Sequence, residues 1–247
     1  MRRLPKAIVK RINYSYNYII YQKIKSEVKR KFNNIILLKK SEKCLIVANG
    51  PSISVTDLSK YSDYDVITMN RSYCKWDELD LKPMIHVCIN SYVLNYFKED
   101  LMKLDIPVFT NYSITKNWNC ENNIPLLLGF FIGDRVSSEI VYPFSSGGTV
   151  TFVSLNIAIL LGYREIVVVG VDHSFSDKGN PNQTVVMQSD DRNHFFSDYF
   201  PSGMKWELPD LERSENSYKV IRRYALKQNI KIYDETVNGK LNVFSKR

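Results

Sequence analysis

Three asparagines end three apolar runs: Asn49 after residues 44–48, Asn70 after 65–69 and Asn90 after 84–89. An amide side chain both donates and accepts hydrogen bonds, so it can match ribose hydroxyls or a base edge without adding charge. Each could equally cap a turn. If the runs are strands of one parallel sheet, their carboxyl ends share an edge and the three amides face one crevice. In Asn49-Gly50-Pro51-Ser52, glycine permits a sharp turn, proline presets a helical turn and serine offers a hydroxyl near unpaired amides. Free N–H groups at such a turn suit a phosphate. Ser145-Ser146-Gly147-Gly148-Thr149, ahead of an apolar stretch at 150–161, reads as a helix N-terminus fit for an anion or the edge of a nucleotide sugar. It has neither the GxxxxGK[ST] nor the GxGxxG pattern. The β-branched run 165–171 delivers Asp172, His173 and Ser174 to the same edge, where Asp172 could bind hydroxyls, orient a neighbour or cap a turn. His194 is the candidate general base, because imidazole titrates near neutral pH; a structural histidine is the alternative.

These residues need a scaffold. Strands are expected at 44–48, 65–70, 84–90, 106–110, 165–171 and 230–233, with helices at 53–61, 93–104, 150–161 and 211–227. The fold class is therefore α/β, a mostly parallel sheet flanked by helices, in one domain spanning 43–247. Residues 111–143 read as irregular and aromatic (Trp118, Phe130, Phe131, Tyr142), an acceptor-side wall or a packed insertion. Residues 176–205 lose periodicity, and the segment 174–205 reads as lid-like; a loop of this length is a lid, a site or disordered, and its closing aromatic residues weigh against disorder.

Ahead of this body lies a different segment. Ile8, Ile12, Tyr16, Ile19/Ile20, Ile24, Val28, Phe32 and Ile35/Ile36 recur in steps of about four, which predicts an amphipathic helix within residues 1–42. Residues 1–40 hold twelve Lys or Arg against Glu27 alone, so the chain's net charge of +8 divides into +11 here and −3 for the rest. A basic helix rich in tyrosine suits an anionic membrane surface, at roughly 1 kcal/mol per basic residue. Packing on the body or on a second copy is the alternative. The near-neutral body removes most support for nucleic-acid binding. No apolar run reaches the ~18 residues of a membrane span, and no signal-peptide pattern is expected. Cys44, Cys74, Cys88 and Cys120 show no CxxC spacing, and Cys44 and Cys88 read as reduced packing residues of a cytosolic protein. The three histidines carry no metal signature.

Asn49-Gly-Pro-Ser52, Asn70, Asn90, Ser146-Gly147, Leu161-Gly-Tyr-Arg-Glu-Ile166 and Gly170-Val-Asp172 resemble, in order and spacing, the bacterial sialyltransferases of glycosyltransferase family 42. The resemblance covers roughly residues 43–175 and, more loosely, the final helix and strand at 211–233. Gly147-Gly-Thr-Val-Thr151, Gly170-Val-Asp-His-Ser-Phe175, Asn193-His-Phe195 and Asp198-Tyr-Phe200 are more similar to a related group. That group holds the motility-accessory-factor proteins and the 6-hydroxymethylpterin diphosphokinase-like proteins.

The resemblance implies a Rossmann-like, GT-A-like sialyltransferase variant that binds CMP-sialic acid with no metal and no cofactor. It would set Asn49, Asn70, Ser146 and Gly147 against the nucleotide and Asn90 near the sugar. Gly50, Ser52, Gly148, Thr149, Asp172, His173 and Tyr199 complete the expected substrate-binding set. Where those enzymes carry a catalytic His before the last helix, this chain has Glu212. Of the paired tyrosines that hold the departing phosphate, Ser174 or Phe175 stands near one and Tyr199 is a candidate for the other.

The expected activity is metal-independent, inverting transfer of a nonulosonic or related sugar from a CMP-sugar donor. The acceptor would be a hydroxyl of a cell-surface glycan or a lipid-linked acceptor, with His194, Asp198 or Glu212 as base. Expected partners are donor, acceptor and, through residues 1–40, the inner face of the cell membrane, with a homo-oligomer possible and no nucleic acid. Two alternatives stand. One is ATP-dependent diphosphate transfer to a pterin alcohol with Mg²⁺ on Asp172, Asp190 and Asp191; the other is a non-catalytic nucleotide- or glycan-binding accessory protein.

Overall fold

A computed structural model describes residues 6–129, 133–176, 179–188 and 191–247. Its centre is a seven-stranded sheet of β1 (Lys43–Val47), β2 (Asp65–Met69), β3 (Ile85–Cys88), β4 (Val108–Asn111), β5 (Asn123–Leu126), β6 (Glu165–Val169) and β9 (Lys231–Asp234). The order is β5-β4-β3-β2-β1-β6-β9, and every pairing is parallel. Both faces are covered, which explains the short unbroken apolar runs. Along β1, Cys44 and Ile46 join the core on one face while Leu45 and Val47 join the core on the other.

On the first face lie α2 (Lys25–Ile36), α6 (Val150–Leu160) and α7 (Leu211–Lys227). Thr151 to Ile159 of α6 are all buried, as expected for a helix apolar on every side. Helix α7 buries Ser214, Ser217, Tyr218, Ile221 and Ala225, a stripe at helical spacing.

Several elements differ from the sequence expectation. The single basic helix is two, α1 (Lys6–Tyr21) and α2, separated by a turn at 22–24. Tyr21 and the α2 residues Val28, Phe32 and Ile35 enter the main core, while Ile8, Val9, Ile12, Tyr16, Tyr18 and Ile19 of α1 stay exposed. Among the described residues no helix is long and apolar enough to cross a membrane. The helix expected at 53–61 is a pair of 3₁₀ turns, Pro51–Val55 and Leu58–Tyr61. That expected at 93–104 is divided into α3 (Ser91–Tyr96) and α4 (Lys98–Lys103).

Residues 111–143 are less irregular than expected, with α5 (Tyr112–Thr115) and the edge strand β5. Pro125 hides β5 from a sequence reading, because proline is tolerated in a sheet mainly at an edge. The stretch 174–205 contains β7 (Thr184–Val186), which pairs antiparallel with β8 (Lys205–Glu207). Met187, Tyr199, Phe200 and Met204, with Trp206 of β8, pack against Cys88, Val93 and Leu101, so the segment joins a core shared with β3, α3 and α4. Cys44 and Cys88 are buried free thiols. Phe130, Phe131 and Asp190 lie outside the described residues.

Candidate functional site

Strands β2 to β5 lie on one side of β1, and β6 and β9 on the other, so the strand order reverses between β1 and β6. At such a switch point the connections diverge and leave a crevice beyond the carboxyl ends of the strands. A cavity of about 180 Å³ opens there, lined by Asn49, Gly50, Asn70, Thr149, Asp172 and His194 among others.

The turn after β1 is held from β6. Gly50 N–H donates to the Gly170 carbonyl at 2.9 Å. Ser52 donates to both oxygens of Asp172, through its N–H at 3.1 Å and its hydroxyl at 2.8 Å. A Cβ on Gly50 would sit 1.8 Å from Asp172 Oδ2, so only glycine fits. Ser52 and Asp172 therefore serve each other, and Ser52 does not line the cavity.

Asn49 and Asn70 project from adjacent strand ends. Asn49 Nδ2 donates to the Met69 carbonyl at 3.2 Å. Asn70 takes a left-handed φ of 51°, which asparagine tolerates better than most residues. Its carbonyl is held by His86 Nε2 at 2.8 Å, and His86 Nδ1 lies 2.9 Å from Thr68 Oγ1. Burial pulls the His86 pKa down from 6.5 to about 4, so its ring is neutral, with Nε2–H donating and Nδ1 accepting from the Thr68 hydroxyl. The side-chain oxygens Asn49 Oδ1 and Asn70 Oδ1 are buried without a hydrogen-bond partner. A buried carbonyl oxygen left unpaired costs free energy, and a ligand donor reaching these two would recover it.

Asn90 behaves differently. Its Oδ1 accepts from Tyr92 N–H at 2.9 Å and Val93 N–H at 3.2 Å, capping α3. It does not line the cavity. Two of the three amides converge, and the third starts a helix.

Across the crevice, α6 presents its N-terminus. Gly147 and Gly148 have φ values of +59° and +75°, and a Cβ on Gly147 would fall 2.2 Å from the Phe152 ring. Thr149 caps the helix, its Oγ1 accepting from Thr151 N–H at 3.3 Å. Thr149, Val150 and Thr151 line the cavity, so positive helix-end charge and unpaired N–H groups face it. Gly147 shapes the turn, while Ser146 looks into a second space beyond it.

The segment 174–205 carries His194. Its Nδ1 lies 2.7 Å from Asp191 Oδ2, and Asp191 Oδ1 accepts from Asn193 N–H at 2.8 Å. With Nδ1–H donating to a carboxylate, the lone pair resides on Nε2, the arrangement a general base needs. The imidazole stacks on Tyr199 at 3.7 Å with the rings 4° apart. Tyr199 is fully buried beneath it and does not line the cavity; desolvation raises its pKa. Asp198 and Glu212 are exposed and do not line the cavity either, so His194 alone of the three candidate bases reaches it. His173 does line it, at a φ of 54°, with Nε2 3.7 Å from Glu215 and a pKa lowered mainly by burial.

Two contacts tie residues 174–205 to the body, and one closes the segment on itself. Phe195 N–H donates to the Asn49 carbonyl at 3.1 Å. Asn193 Oδ1 accepts from Ser176 N–H at 2.8 Å. The Arg71 guanidinium donates to the Asp198 carbonyl at 2.6 Å and also to the Tyr199 carbonyl, stacked 4.0 Å above Phe97. The sequence reading does not include Arg71, nor Asp191 as the partner of His194. The Asp191-x-x-His194 spacing is the signal that could have found the latter. Among the described residues no three His, Cys, Asp or Glu side chains are grouped to hold a metal ion.

Residues 18–178 match the sequence family described as 6-hydroxymethylpterin diphosphokinase MptE-like. Among solved structures, the MAf glycosyltransferase from Magnetospirillum magneticum AMB-1 superposes with a TM-score of 0.54 at 15% identity, over 85% of this chain and 34% of that one. The chain thus spans about a third of that protein's length. A mammalian sialyltransferase in complex with Gal-beta-1-3GalNAc-ortho-nitrophenol aligns at a TM-score of 0.42 and 12% identity, over 96% of this chain and 88% of that one. Comparison with curated proteins finds no match. The Rossmann-like parallel sheet is thus similar in fold to that of the Magnetospirillum protein.

Proposed function

The chain belongs to the 6-hydroxymethylpterin diphosphokinase MptE-like family, and we propose that within it this chain is a glycosyltransferase using a CMP-activated nonulosonic or related sugar. The observation that carries this reading is the Asp191–His194 pair facing a cavity whose opposite walls hold two unpaired amide oxygens and a helix N-terminus. In the reaction, His194 Nε2 takes the proton of an acceptor hydroxyl, whose oxygen attacks the anomeric carbon. The bond from that carbon to the CMP phosphate oxygen breaks, with inversion. Asp191 holds the imidazolium that forms, and the α6 N-terminus takes up the charge of the leaving phosphate. Asn49 and Asn70 accept hydrogen bonds from the nucleotide's hydroxyl or amino groups.

Diphosphate transfer from ATP to a pterin alcohol is favoured by the family's description. That chemistry calls for Mg²⁺ on carboxylates. Asp172 engages both oxygens with Ser52, and Asp191 engages both with Asn193 and His194. Glycosyl transfer needs neither to be released.

Residues 1–42 form the membrane-facing arm in this reading. The exposed Ile8, Ile12 and Ile19 of α1 and the basic residues around them suit the anionic inner face of the cell membrane. The acceptor is a surface glycan or a lipid-linked precursor, 43–247 is the catalytic domain, and 174–205 acts as its lid.

Ligand-induced thermal shift with CMP, CMP-sugars and ATP, each with and without EDTA, tests the proposal. Stabilisation by CMP or a CMP-sugar that survives EDTA is expected. A response to ATP alone, abolished by EDTA, supports the diphosphokinase. Silence toward every nucleotide leaves an accessory binding protein.

A further inference from the structure

Beyond the turn at 146–148 lies a larger cavity of about 610 Å³, walled by α1, the segment 111–116 and the chain leaving β5. That volume falls within the ~300–1,000 Å³ range of small-molecule sites. Asn13, Tyr16 and Asn17 come from α1; Asn111, Ser113 and Lys116 come from the end of β4 and the segment after it. The described lining thus offers amides, hydroxyls, aromatic rings, the side chains of Leu127 and Leu128 and one ammonium, with no carboxylate.

Asn17 is 9% exposed, and its Oδ1 accepts from Lys116 Nζ at 3.2 Å. The same ammonium lies 5.5 Å from the Tyr16 ring centroid. Asn111 Oδ1 accepts from Ser113 N–H at 3.1 Å and from its hydroxyl at 2.8 Å. Amides that donate and accept, set beside an aromatic face, match the mixed hydroxyl and C–H surface of a sugar ring.

The two cavities share one wall. Ser146 lines the larger and Gly148 the smaller. Two residues of chain reach at most ~7 Å, so a hydroxyl at the rim of one cavity lies near the contents of the other. We propose that the second cavity is the acceptor subsite, taking a polyhydroxylated saccharide whose reactive hydroxyl passes the turn at 146–148 into the first cavity. This rests on the glycosyl-transfer reading. It makes α1 a wall of the site as well as a surface helix.

Hydrogen exchange on the full chain separates the two ideas, using CMP and, singly, lactose, chitobiose and maltose at millimolar concentration. At least one disaccharide is expected to slow exchange in α1 and in 111–116, whereas CMP slows it at 48–50, 149–151 and 170–175. Tyr16→Ala, at a position 59% exposed, should weaken the disaccharide about tenfold and leave CMP binding unchanged. Asn13→Ala should act in the same direction. Protection by disaccharides confined to the first cavity, or absent with all three, overturns the subsite, and with CMP protection intact it leaves the donor reading standing. Protection of α1 by a saccharide with no effect of CMP sinks the donor reading and with it the acceptor role, leaving a saccharide-binding cavity.

Discussion

Ser52 holds both oxygens of Asp172, one with its backbone N–H at 3.1 Å and one with its hydroxyl at 2.8 Å. The two residues are 120 positions apart, and their contact joins the turn after β1 to the end of β6. The crevice exists because these neighbouring strand ends, whose chains depart in opposite directions, are fastened to each other.

Asp172→Asn should destabilise the fold by about 1.5–3 kcal/mol, because a charge-assisted pair is replaced by an amide that matches one donor at best. Urea denaturation measures this. Gly50→Ala should be worse for ligand binding, since its Cβ meets Asp172 and the Gly170 carbonyl at 1.8 and 2.6 Å. A variant that keeps wild-type stability and nucleotide affinity would show that the turn tolerates a wider path.

His194→Ala should lower the transfer rate by about 10²–10⁴-fold, the range of general-base catalysis. Asp191→Asn should lower it less, because Nε2 remains in place while its orientation and the stabilising charge are lost. Donor affinity should hold in both, as read by calorimetry with CMP. Equal rates for wild type and His194→Ala would exclude the base.

Asn49→Ala and Asn70→Ala should each weaken CMP binding about tenfold, the value of one hydrogen bond to a buried, otherwise unpaired oxygen. Asn90→Ala should leave CMP affinity unchanged and cost about 1 kcal/mol of stability through loss of the α3 cap. The contrast between sites is the readout: three equal effects on affinity would mean that Asn90 turns toward the ligand.

His86 supplies a pH dependence. Buried and neutral, it binds no proton until about pH 4, whereas in the unfolded chain it titrates near 6.5. Between these values the unfolded chain holds more protons, so stability falls as pH drops from 6.5 toward 4, by up to about 3 kcal/mol, with no effect above that window. Acidic groups titrate there too, so the comparison is with His86→Leu, whose stability should fall less steeply. Parallel curves for the two proteins would refute the assignment.

Ile12→Glu with Ile19→Glu should reduce binding to phosphatidylserine vesicles tenfold or more, at roughly 1–2 kcal/mol for each apolar side chain kept out of the interface. Both positions are more than half exposed, so the fold should be unaffected. Co-sedimentation with vesicles decides it; undiminished binding would place the contact elsewhere.

Much of this architecture is written locally. Lys43–Val47, Asp65–Met69 and Glu165–Val169 are strands because short β-branched apolar runs bounded by turn formers suit a sheet covered on both faces. Gly147-Gly148-Thr149 starts α6 because glycine accepts positive φ and threonine caps. Strand β5 stays hidden behind Pro125, and the turn at 22–24 divides a helical pattern that runs on without a proline or glycine.

The sequence by itself determined which residue types stand at the strand ends, because periodicity and turn chemistry act over a few neighbours. Only the tertiary structure decided which of them face the cavity. Asn90 satisfies its oxygen two and three residues away, whereas Asn49 and Asn70 keep buried oxygens unpaired at the edge between β1 and β2. Tyr199 becomes a platform under His194, and α1 folds back to wall a cavity opened by β4 and β5. Those assignments depend on contacts between segments tens of residues apart, and no local pattern carries them.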